Sequence, residues 1–388
     1  MVNLKNIILI YIFFVCISFN FKWFYISGSF AYIDLLLPLL LLATAYQKKI
    51  KLDFFFFLLG GLACITCASS LFAISSGAFD NNKIGYIFRS LYFIGLYVLI
   101  FNSDVSTENI IKVIMASLIF SLFLCFYIWT TSPRYFGFSS MPMLHVLDSP
   151  TGIKVNRNES GLYASLLFAI SFYGLTYNKY YSYLTNLLIV IISFLTVAFT
   201  FSKGTWILSL IAVLLIISYK YKPTNFLITT SILMVLFFSL PLSDLLFLDA
   251  VVTRFSGSGE TNAYRFGYLV DAIYIGADNV LLGIGPGNYK EYTAANGYLI
   301  TIDPHNALAQ SFAELGIFGL ALVLLLYASS FYQSYFNSKK EDTYIIIFVL
   351  MIMLLADSFI SGLSLTMKIL YILAALTMRR GLDVRKQK

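Results

Sequence analysis

Long apolar runs separated by short polar connections set the pattern of this chain throughout. A helix needs about 20 mostly apolar residues to cross a bilayer, and the sequence offers twelve candidate runs. Backbone groups cannot stay unpaired in lipid, so each run is predicted to be a helix. The runs lie at about residues 5–21, 29–46, 54–74, 85–101, 109–130, 159–177, 184–201, 205–219, 225–241, 306–335, 343–361 and 366–378.

The predicted fold is therefore all-α, a polytopic membrane bundle that forms one domain over residues 1–388. Composition agrees, because 59% of the residues are hydrophobic and only 12% are charged, against about 25% charged residues in soluble domains. The net charge of +7 lies mostly in short loops between apolar runs. It therefore does not indicate a nucleic-acid partner.

Basic residues mark every second connection and so predict the orientation. The positive-inside rule then puts both termini in the cytoplasm. The connection 102–108 is the exception, since Asp104 and Glu108 come before the first basic residue, Lys112. The basic residues of the predicted cytoplasmic side are Lys48, Lys49, Lys51, Lys179, Lys220, Lys222, Lys339, Lys340, Arg379, Arg380, Arg385, Lys386 and Lys388.

Two long connections fall on the outer side, at about 131–158 and 242–305. The second is predicted to be a large loop inserted between the ninth and tenth spans. It holds most of a polar stretch that runs from Arg254 to Gly319 in an otherwise apolar C-terminal half. Polar chain that meets a membrane bundle is where function is expected.

The sequence Asp303-Pro304-His305-Asn306 opens the tenth span. Asp is a favoured N-cap and Pro a favoured first helical residue, which predicts His305 in the first turn. The positive end of the helix dipole disfavours an imidazolium there. A neutral His305 is then a candidate catalytic base beside an anion site. The alternative is a surface histidine near a helix cap.

Arg265 is the second candidate, for binding phosphate oxygens through its guanidinium fork. Thr261 or Asn262 is predicted to cap a short helix that reaches about Ile275, with Arg265 in its first turn. The alternative is an arginine that snorkels to lipid phosphates. Arg254 is a weaker candidate of the same kind. The predicted apolar stripe of this helix, which would lie on the membrane surface or against the bundle, is Phe266, Leu269, Val270 and Ile273.

Lys203 separates two apolar runs on the outer side, where a lysine is costly unless it snorkels or meets an anion. It is a candidate contact for a diphosphate, and a tight turn with a snorkelling lysine is the alternative. Arg157 opens the sixth span in a similar position. The neighbouring Glu159 suits a helix N-terminus on dipole grounds alone.

Two further features are interpreted as structural. The run Gly283-Ile284-Gly285-Pro286-Gly287 lacks the following Lys-Ser/Thr of a nucleotide site, so it predicts a tight turn. Glu314 lies nine residues after His305, on roughly the opposite helix face, which suggests a packing or pairing carboxylate. Two histidines and scattered carboxylates give no zinc or magnesium spacing, and no cofactor is predicted.

Several of these segments together resemble the superfamily of O-antigen ligases and O-antigen polymerases of the bacterial envelope. The resemblance is good over about residues 155–335. The segments that carry it are Phe199-Thr200-Phe201-Ser202-Lys203-Gly204-Thr205-Trp206, Tyr264-Arg265-Phe266, Leu282-Gly283-Ile284-Gly285-Pro286-Gly287-Asn288, Pro304-His305-Asn306 with Gly316-Ile317-Phe318-Gly319, and, more weakly, Asn156-Arg157-Asn158.

The resemblance implies a twelve-helix bundle of the GT-C type in the bacterial inner membrane, with its active site facing the periplasm. Members move a glycan from undecaprenyl diphosphate onto an acceptor hydroxyl without a metal. His305 would be the base, and Arg265 and Arg254 would hold the diphosphate. Lys203, Arg157 and Asn306 fall in matching motifs as substrate-binding candidates. Lys203 replaces the family's arginine, which keeps the charge and loses the fork.

Three functions stay open at this point. The leading hypothesis is an O-antigen ligase that attaches lipid-linked polysaccharide to the lipid A core. The second is a polymerase whose acceptor is another lipid-linked repeat unit, and the spacing of Arg265 and Gly276 fits a pattern of some polymerases. The third is a polysaccharide transporter without chemistry. Polar residues clustered at one face, with no internal repeat, speak against the third.

Overall fold

The computed structural model describes residues 3–18, 25–27, 30–75, 84–132, 135–136, 142–143, 156–221, 259–297, 304, 306–360 and 368–386. Its helices are α1 (Leu4–Ser18), α2 (Leu36–Gln47), α3 (Phe54–Ser75), α4 (Ile84–Asn102), α5 (Thr107–Thr131), α6 (Arg157–Tyr177), α7 (Tyr183–Phe199), α8 (Lys203–Lys220), α9 (Gly259–Asp278), α10 (Tyr289–Ala295), α11 (Ala307–Ser338), α12 (Thr343–Ile360) and α13 (Lys368–Lys386). Two short antiparallel pairs join β1 (Tyr25–Ser27) to β2 (Phe30–Ala31) and β3 (Tyr135–Phe136) to β4 (Pro142–Met143).

The helical membrane body that the apolar runs predict is confirmed. Within the described ranges, five helices are long and apolar enough to cross a membrane, and shorter apolar helices accompany them. The five are Phe54–Ala73, Gly85–Asn102, Thr107–Thr131, Lys203–Lys220 and Ala307–Ser338. The predicted span at 225–241 lies outside the described residues, so the count of twelve stays a prediction.

The second predicted span, 29–46, is helical only in part. Phe30–Ala31 forms strand β2 and Tyr32–Leu35 forms a 3-10 turn before α2 begins at Leu36. The turn contains Asp34, which is 4% exposed. A buried carboxylate at this point needs a partner from elsewhere in the bundle, and its partner is described below.

Polar residues set several helix starts. Asn156 caps α6, with its side-chain oxygen accepting from the Asn158 N–H at 2.9 Å. Ser106 and Ser182 cap α5 and α7 in the same way. These side chains satisfy amides that the first turn of a helix leaves unpaired.

Helix α6 lies at the centre of the bundle, between α7 and α8. Its residues from Ser160 to Ser171 are buried on every face of the helix. Ser165 is satisfied by bonding backbone, since its hydroxyl donates to the Gly161 carbonyl at 2.7 Å. Small residues here allow close approach, since a Cβ at Gly161 would lie 2.7 Å from the Thr205 side chain of α8.

The bundle has two distinct ends. One of them, the basic end, is where five helices terminate: α4, α6, α8, α11 and α13. There the Tyr173 hydroxyl donates to the Asp342 carbonyl at 2.6 Å, and the Asn337 amide donates to the Thr377 carbonyl at 2.8 Å. The same helices begin at the opposite end, the far end. Lys48, Lys51, Lys179, Lys220, Lys339 and Arg379 all follow or close helices at the basic end.

The acidic connection 102–108 also lies at the basic end. Asp104 forms an ion pair with Lys48, and Glu108 pairs with Lys112 at 2.9 Å. Arg379 donates to the Ser103 carbonyl at 3.1 Å. The two acidic residues of this connection are thus paired with lysines, and a third basic residue bonds its backbone.

Candidate active site

Helix α11 is interrupted at Gly316, which has φ 68° and ψ −165°. This conformation lies in a region open almost only to glycine. Segments 307–315 and 317–338 therefore meet at a break inside a predicted span. A break within a bilayer leaves backbone groups that lipid cannot bond, so other protein groups must bond them.

The segment 280–287, which contains the glycine turn at 283–287, supplies those bonds. Its chain lies alongside the break and pairs with both segments of α11. The three bonds are from the Ile284 N–H to the Ala313 carbonyl at 2.9 Å, from the Gly285 N–H to the Glu314 carbonyl at 3.0 Å, and from the Ile317 N–H to the Val280 carbonyl at 2.8 Å.

The contact between turn and break is too close for larger residues. A Cβ at Gly316 would lie 2.3 Å from the Leu281 carbonyl oxygen, and one at Gly283 would lie 2.3 Å from the Glu314 carbonyl carbon. The Ser69 hydroxyl of α3 lies 2.5 Å from the Leu282 carbonyl oxygen. The prediction that the glycine run is a structural turn is confirmed, and its role is to complete a broken helix.

A cavity of about 150 Å³ lies beside the first segment of α11. Helices α3, α4, α11 and α13 line it, together with Pro286 of the glycine turn. Ala307, the first residue of α11, lines it too. The cavity is therefore at the far end of the bundle, next to the polar stretch that the sequence singles out.

The charged and amide side chains of this cavity come from two helices. Gln310 and Glu314 lie one turn apart on α11, and the Gln310 amide donates to the Glu314 carboxylate at 3.1 Å. Arg89 and Ser90 of α4 face the same space. Glu314 is 7% exposed, whereas Arg89 and Gln310 are half-buried. The interpretation of Glu314 as a pairing carboxylate agrees with its bond to Gln310.

A buried ion pair stabilises the part of the cavity wall that α13 forms. Lys368, the first residue of α13, lies 2.8 Å and 2.9 Å from the two carboxylate oxygens of Asp34. Its ammonium also sits 4.9 Å from the ring centroid of Tyr92. Both charged residues are at most 5% exposed. The pair ties the start of α13 to α4 and the Asp34 turn, and Tyr371 of the cavity wall follows one turn later.

Lys203 and Arg157 begin two adjacent helices at this end. Phe201, with φ 49°, turns the chain between α7 and α8, so that Lys203 starts α8. Arg157 starts α6. Since Gly161 and Thr205 touch one turn into each helix, the structure brings these two predicted cations to neighbouring helix N-termini. Both ends carry the partial positive charge that favours anions.

The helix predicted around Arg265 is present but longer, and its packed face differs. Helix α9 begins at Gly259, so Arg265 lies in its second turn and Thr261 and Asn262 are inside the helix. Phe266 and Ile273 of the predicted stripe are 67% and 48% exposed. The packed face is Tyr268, Ala272, Ile275 and Gly276, against α10 and α11.

Small residues explain this difference. At Gly276 a Cβ would lie 2.4 Å from the Phe312 ring of α11. Close packing of two helices needs such gaps, and large apolar residues on another face do not compete for it. The expectation that the helix packs against the bundle is confirmed. Of the predicted stripe, Leu269 packs in this contact, whereas Phe266 and Ile273 do not.

The predicted start of the tenth span is also corrected. Asn306, and not Asp303, is the N-cap of α11, because its side-chain oxygen accepts from the Leu308 and Ala309 N–H groups at 3.1 Å and 3.0 Å. Pro304 precedes the helix instead of opening it. In the sequence, His305 is one position before this cap. Arg254 and the placement of His305 itself lie outside the described residues.

Sequence reasoning missed Arg89, Gln310 and the Asp34–Lys368 pair. The signal for the charged residues was available, since each lies in or at the edge of a predicted apolar span, where ionisable groups are rare and functional. Gln310 carries no such signal. Only the fold shows that it faces Arg89 across one cavity.

A family model described as O-antigen ligase matches residues 188–324. That range includes Lys203, helix α9 with Arg265, the glycine turn and α11 past its break at Gly316. The comparison with curated proteins found no match to the chain. The resemblance to the superfamily of O-antigen ligases and polymerases is thus confirmed over residues 188–324 of this membrane-embedded chain.

Proposed function

We propose that this protein is a glycan transferase of the bacterial inner membrane and acts as an O-antigen ligase. It would move a polysaccharide from undecaprenyl diphosphate onto a sugar hydroxyl of the lipid A core. The observation that carries the proposal is the family match, which covers Lys203, Arg265 and the α11 half of the cavity. The match itself supports the more general role of a lipopolysaccharide glycan transferase.

In this proposal His305 takes the proton from the acceptor hydroxyl. The acceptor oxygen then bonds to the anomeric carbon of the donor sugar, and the bond from that carbon to the diphosphate breaks. Undecaprenyl diphosphate leaves with its electron pair. A base at the attacking oxygen and cations at the leaving group lower the barrier at the two places where charge changes.

The cations assigned to the diphosphate are Arg265 and Arg254, with Lys203 and Arg157 at the starts of α8 and α6. The arrangement of the last two supports the assignment, because they begin adjacent helices at the far end. Fixed cations there would stabilise the negative charge of the leaving diphosphate, as a divalent ion can. No metal is required in this scheme.

The orientation is proposed from the charge distribution. Lys48, Lys179, Lys220, Lys339 and Arg379 lie at the basic end, which is assigned to the cytoplasm by the positive-inside rule. The far end with the cavity would then face the periplasm. Residues 1–388 would form one transmembrane domain, with the stretch 242–305 as a periplasmic loop.

Polymerase activity shares this site and is kept as the second outcome of the test. The spacing between Arg265 and Gly276 that fits some polymerases now has a packing explanation. Gly276 admits the Phe312 ring where α9 crosses α11. The spacing therefore favours neither function.

The test is a His305→Ala strain of the host, with its lipopolysaccharide separated on a gel. Loss of all banded polymer while lipid-linked polymer accumulates is the result expected for a ligase. Attachment of a single repeat unit would identify a polymerase. His145→Ala, which changes the other histidine, is the matched control and should give a wild-type ladder. A wild-type ladder from His305→Ala would remove this residue from the mechanism.

A further inference from the structure

The cavity between α4 and α11 differs in charge from the helix starts of α6 and α8. Arg89 and Glu314 give its walls one residue of each sign, and Gln310, Ser90 and Tyr86 add uncharged polar groups. We propose that this cavity binds a neutral sugar residue of the acceptor glycan. The inference rests on the proposed function and extends it, because it assigns a place and a set of residues to the acceptor.

Charge argues against the diphosphate as the occupant. A diphosphate would place its negative charges beside the carboxylate of Glu314, which is 7% exposed. Repulsion between like charges grows as the surroundings become less polar. The helix starts with Arg157 and Lys203 offer the diphosphate a better position, since two cations and two helix N-termini there outweigh the single carboxylate of Glu159.

The lining matches the two kinds of surface that a sugar ring presents. Rings of Tyr86, Phe93 and Tyr371 face the space, and Phe93 and Tyr371 stack at 4.1 Å between centroids. Flat apolar surfaces of this kind suit the C–H face of a sugar. The carboxylate of Glu314 and the amide of Gln310 suit its hydroxyls, as in small-molecule sites that combine aromatic walls with a few polar groups.

The depth of the cavity separates this sugar from the reacting one. Eight residues lead from Asn306 to Glu314, which corresponds to about 12 Å along a helix. His305 is next to Asn306 in the chain, so a hydroxyl that reacts at His305 is far from Glu314. A ring held by Glu314 therefore belongs to a neighbouring sugar. The cavity would therefore select the acceptor by a residue that is not itself modified.

The gradient of exposure is consistent with entry of a ligand. Arg89, Ser90 and Gln310 are half-buried, while Glu314 is buried. A glycan that enters past Arg89 and Gln310 would reach Glu314 last. An acyl chain is a poorer occupant, because it would leave the polar groups of the walls without bonds to solvent.

A labelling experiment tests occupancy directly. Ser90→Cys changes a half-buried residue of the cavity whose hydroxyl donates to the Tyr86 carbonyl within its own helix, at 3.0 Å. The full-length protein in detergent is treated with a small thiol reagent, and modification at position 90 is measured by mass spectrometry. Ser218→Cys is the control, since Ser218 is exposed near the basic end and bonds the Leu215 carbonyl in the same manner.

Three probes are compared: dephosphorylated core oligosaccharide, the oligosaccharide repeat released from its lipid carrier, and inorganic pyrophosphate. Either oligosaccharide should slow labelling at position 90 at least fivefold, with no change at position 218. Protection by the core points to ligation, and protection by the repeat unit points to polymerisation. Protection by pyrophosphate, or by none of the three, would overturn the inference.

Kinetics keep the inference testable if Ser90→Cys folds poorly. Glu314→Gln and Gln310→Ala should raise the acceptor KM about tenfold and leave the donor KM unchanged. Gln333→Ala is the matched control, because Gln333 also bonds a side chain four residues on, but toward the basic end. A change in donor KM alone would contradict the assignment. Wild-type transfer without oligosaccharide protection would reject the cavity site and leave the proposed function intact.

Discussion

Polar side chains form hydrogen bonds at both ends of this bundle, but at the far end they also line a cavity. At the basic end Tyr173, Asn337 and Arg379 donate to backbone carbonyls of other helices or loops. At the far end Gln310 and Glu314 bond to each other and face a cavity that Arg89 also lines. Burial of polar groups is costly in both places unless they are bonded. Both ends therefore contain bonds that hold helices together, and the cavity at the far end is where we propose that a ligand binds.

The Asp34–Lys368 pair gives the sharpest test of this comparison. Lys368→Ala leaves the Asp34 carboxylate buried without its counter-ion, which is expected to lower the free energy of unfolding by about 3–5 kcal/mol. Adding Asp34→Asn should recover part of the lost free energy of unfolding, because the buried negative charge without a counter-ion is then removed. The measurement is unfolding in detergent followed by circular dichroism.

Arg379→Ala is the matched change at the basic end. Its guanidinium donates to the Ser103 carbonyl and is half-exposed, so water can replace the lost bonds. A cost of about 1 kcal/mol is expected. Equal effects of Lys368→Ala and Arg379→Ala would mean that the buried ion pair has no special role in the far end.

Lys203 and Lys220 allow the two ends of a single helix to be compared. Lys203 starts α8 and Lys220 closes it, where its ammonium lies 4.6 Å from the Tyr177 ring centroid. If Lys203 contacts the diphosphate, Lys203→Ala should lower the transfer rate about tenfold or more, since bonds to charged groups contribute about 1.5–3 kcal/mol. Lys203→Arg should retain activity because it keeps the charge.

Lys220→Ala should leave the transfer rate within about twofold of wild type, since no substrate contact is lost at the basic end. All three variants are compared by the rate at which labelled glycan is transferred in membranes. Wild-type activity of Lys203→Ala would show that the diphosphate role of Lys203 is wrong.

The break in α11 gives a further prediction, which concerns stability. Gly316→Ala forces an alanine into a glycine-only conformation, which costs about 1–3 kcal/mol. It also brings a Cβ within 2.3 Å of the Leu281 carbonyl oxygen. Gly60→Ala in α3 is the control, because no atom lies within 4 Å of a Cβ there. Equal melting temperatures for the two variants would contradict the close packing of the glycine turn against the break at Gly316.

The sequence predicted the helical body and most helix positions because hydropathy alone determines them. It also placed Lys203 between two apolar runs and Arg157 at the opening of the sixth span, and the structure puts both residues at helix starts. It could not show the break at Gly316. That break depends on bonds from residues 280–285, and neither segment carries a helix-ending signal beyond its glycines.

Part of the packed face of α9 and the cap of α11 were predicted wrongly for local reasons. A stripe of large apolar residues is a weaker guide than the small residues Ala272 and Gly276, which allow the backbone of α11 to come close. At the start of α11, Asp303 and Asn306 are both good caps. Which one caps the helix is settled by the fold around it, where Asn306 bonds two amides.

Transfer by the purified protein tests the central claim most directly. The protein is reconstituted in liposomes with undecaprenyl-diphosphate-linked polysaccharide and lipid A core, and the attached glycan and released undecaprenyl diphosphate are measured together. The wild-type protein should produce both in equal amounts, and His305→Ala should reduce both by about a hundredfold or more. Absence of transfer by a folded wild-type protein given both substrates would contradict the assignment as an O-antigen ligase.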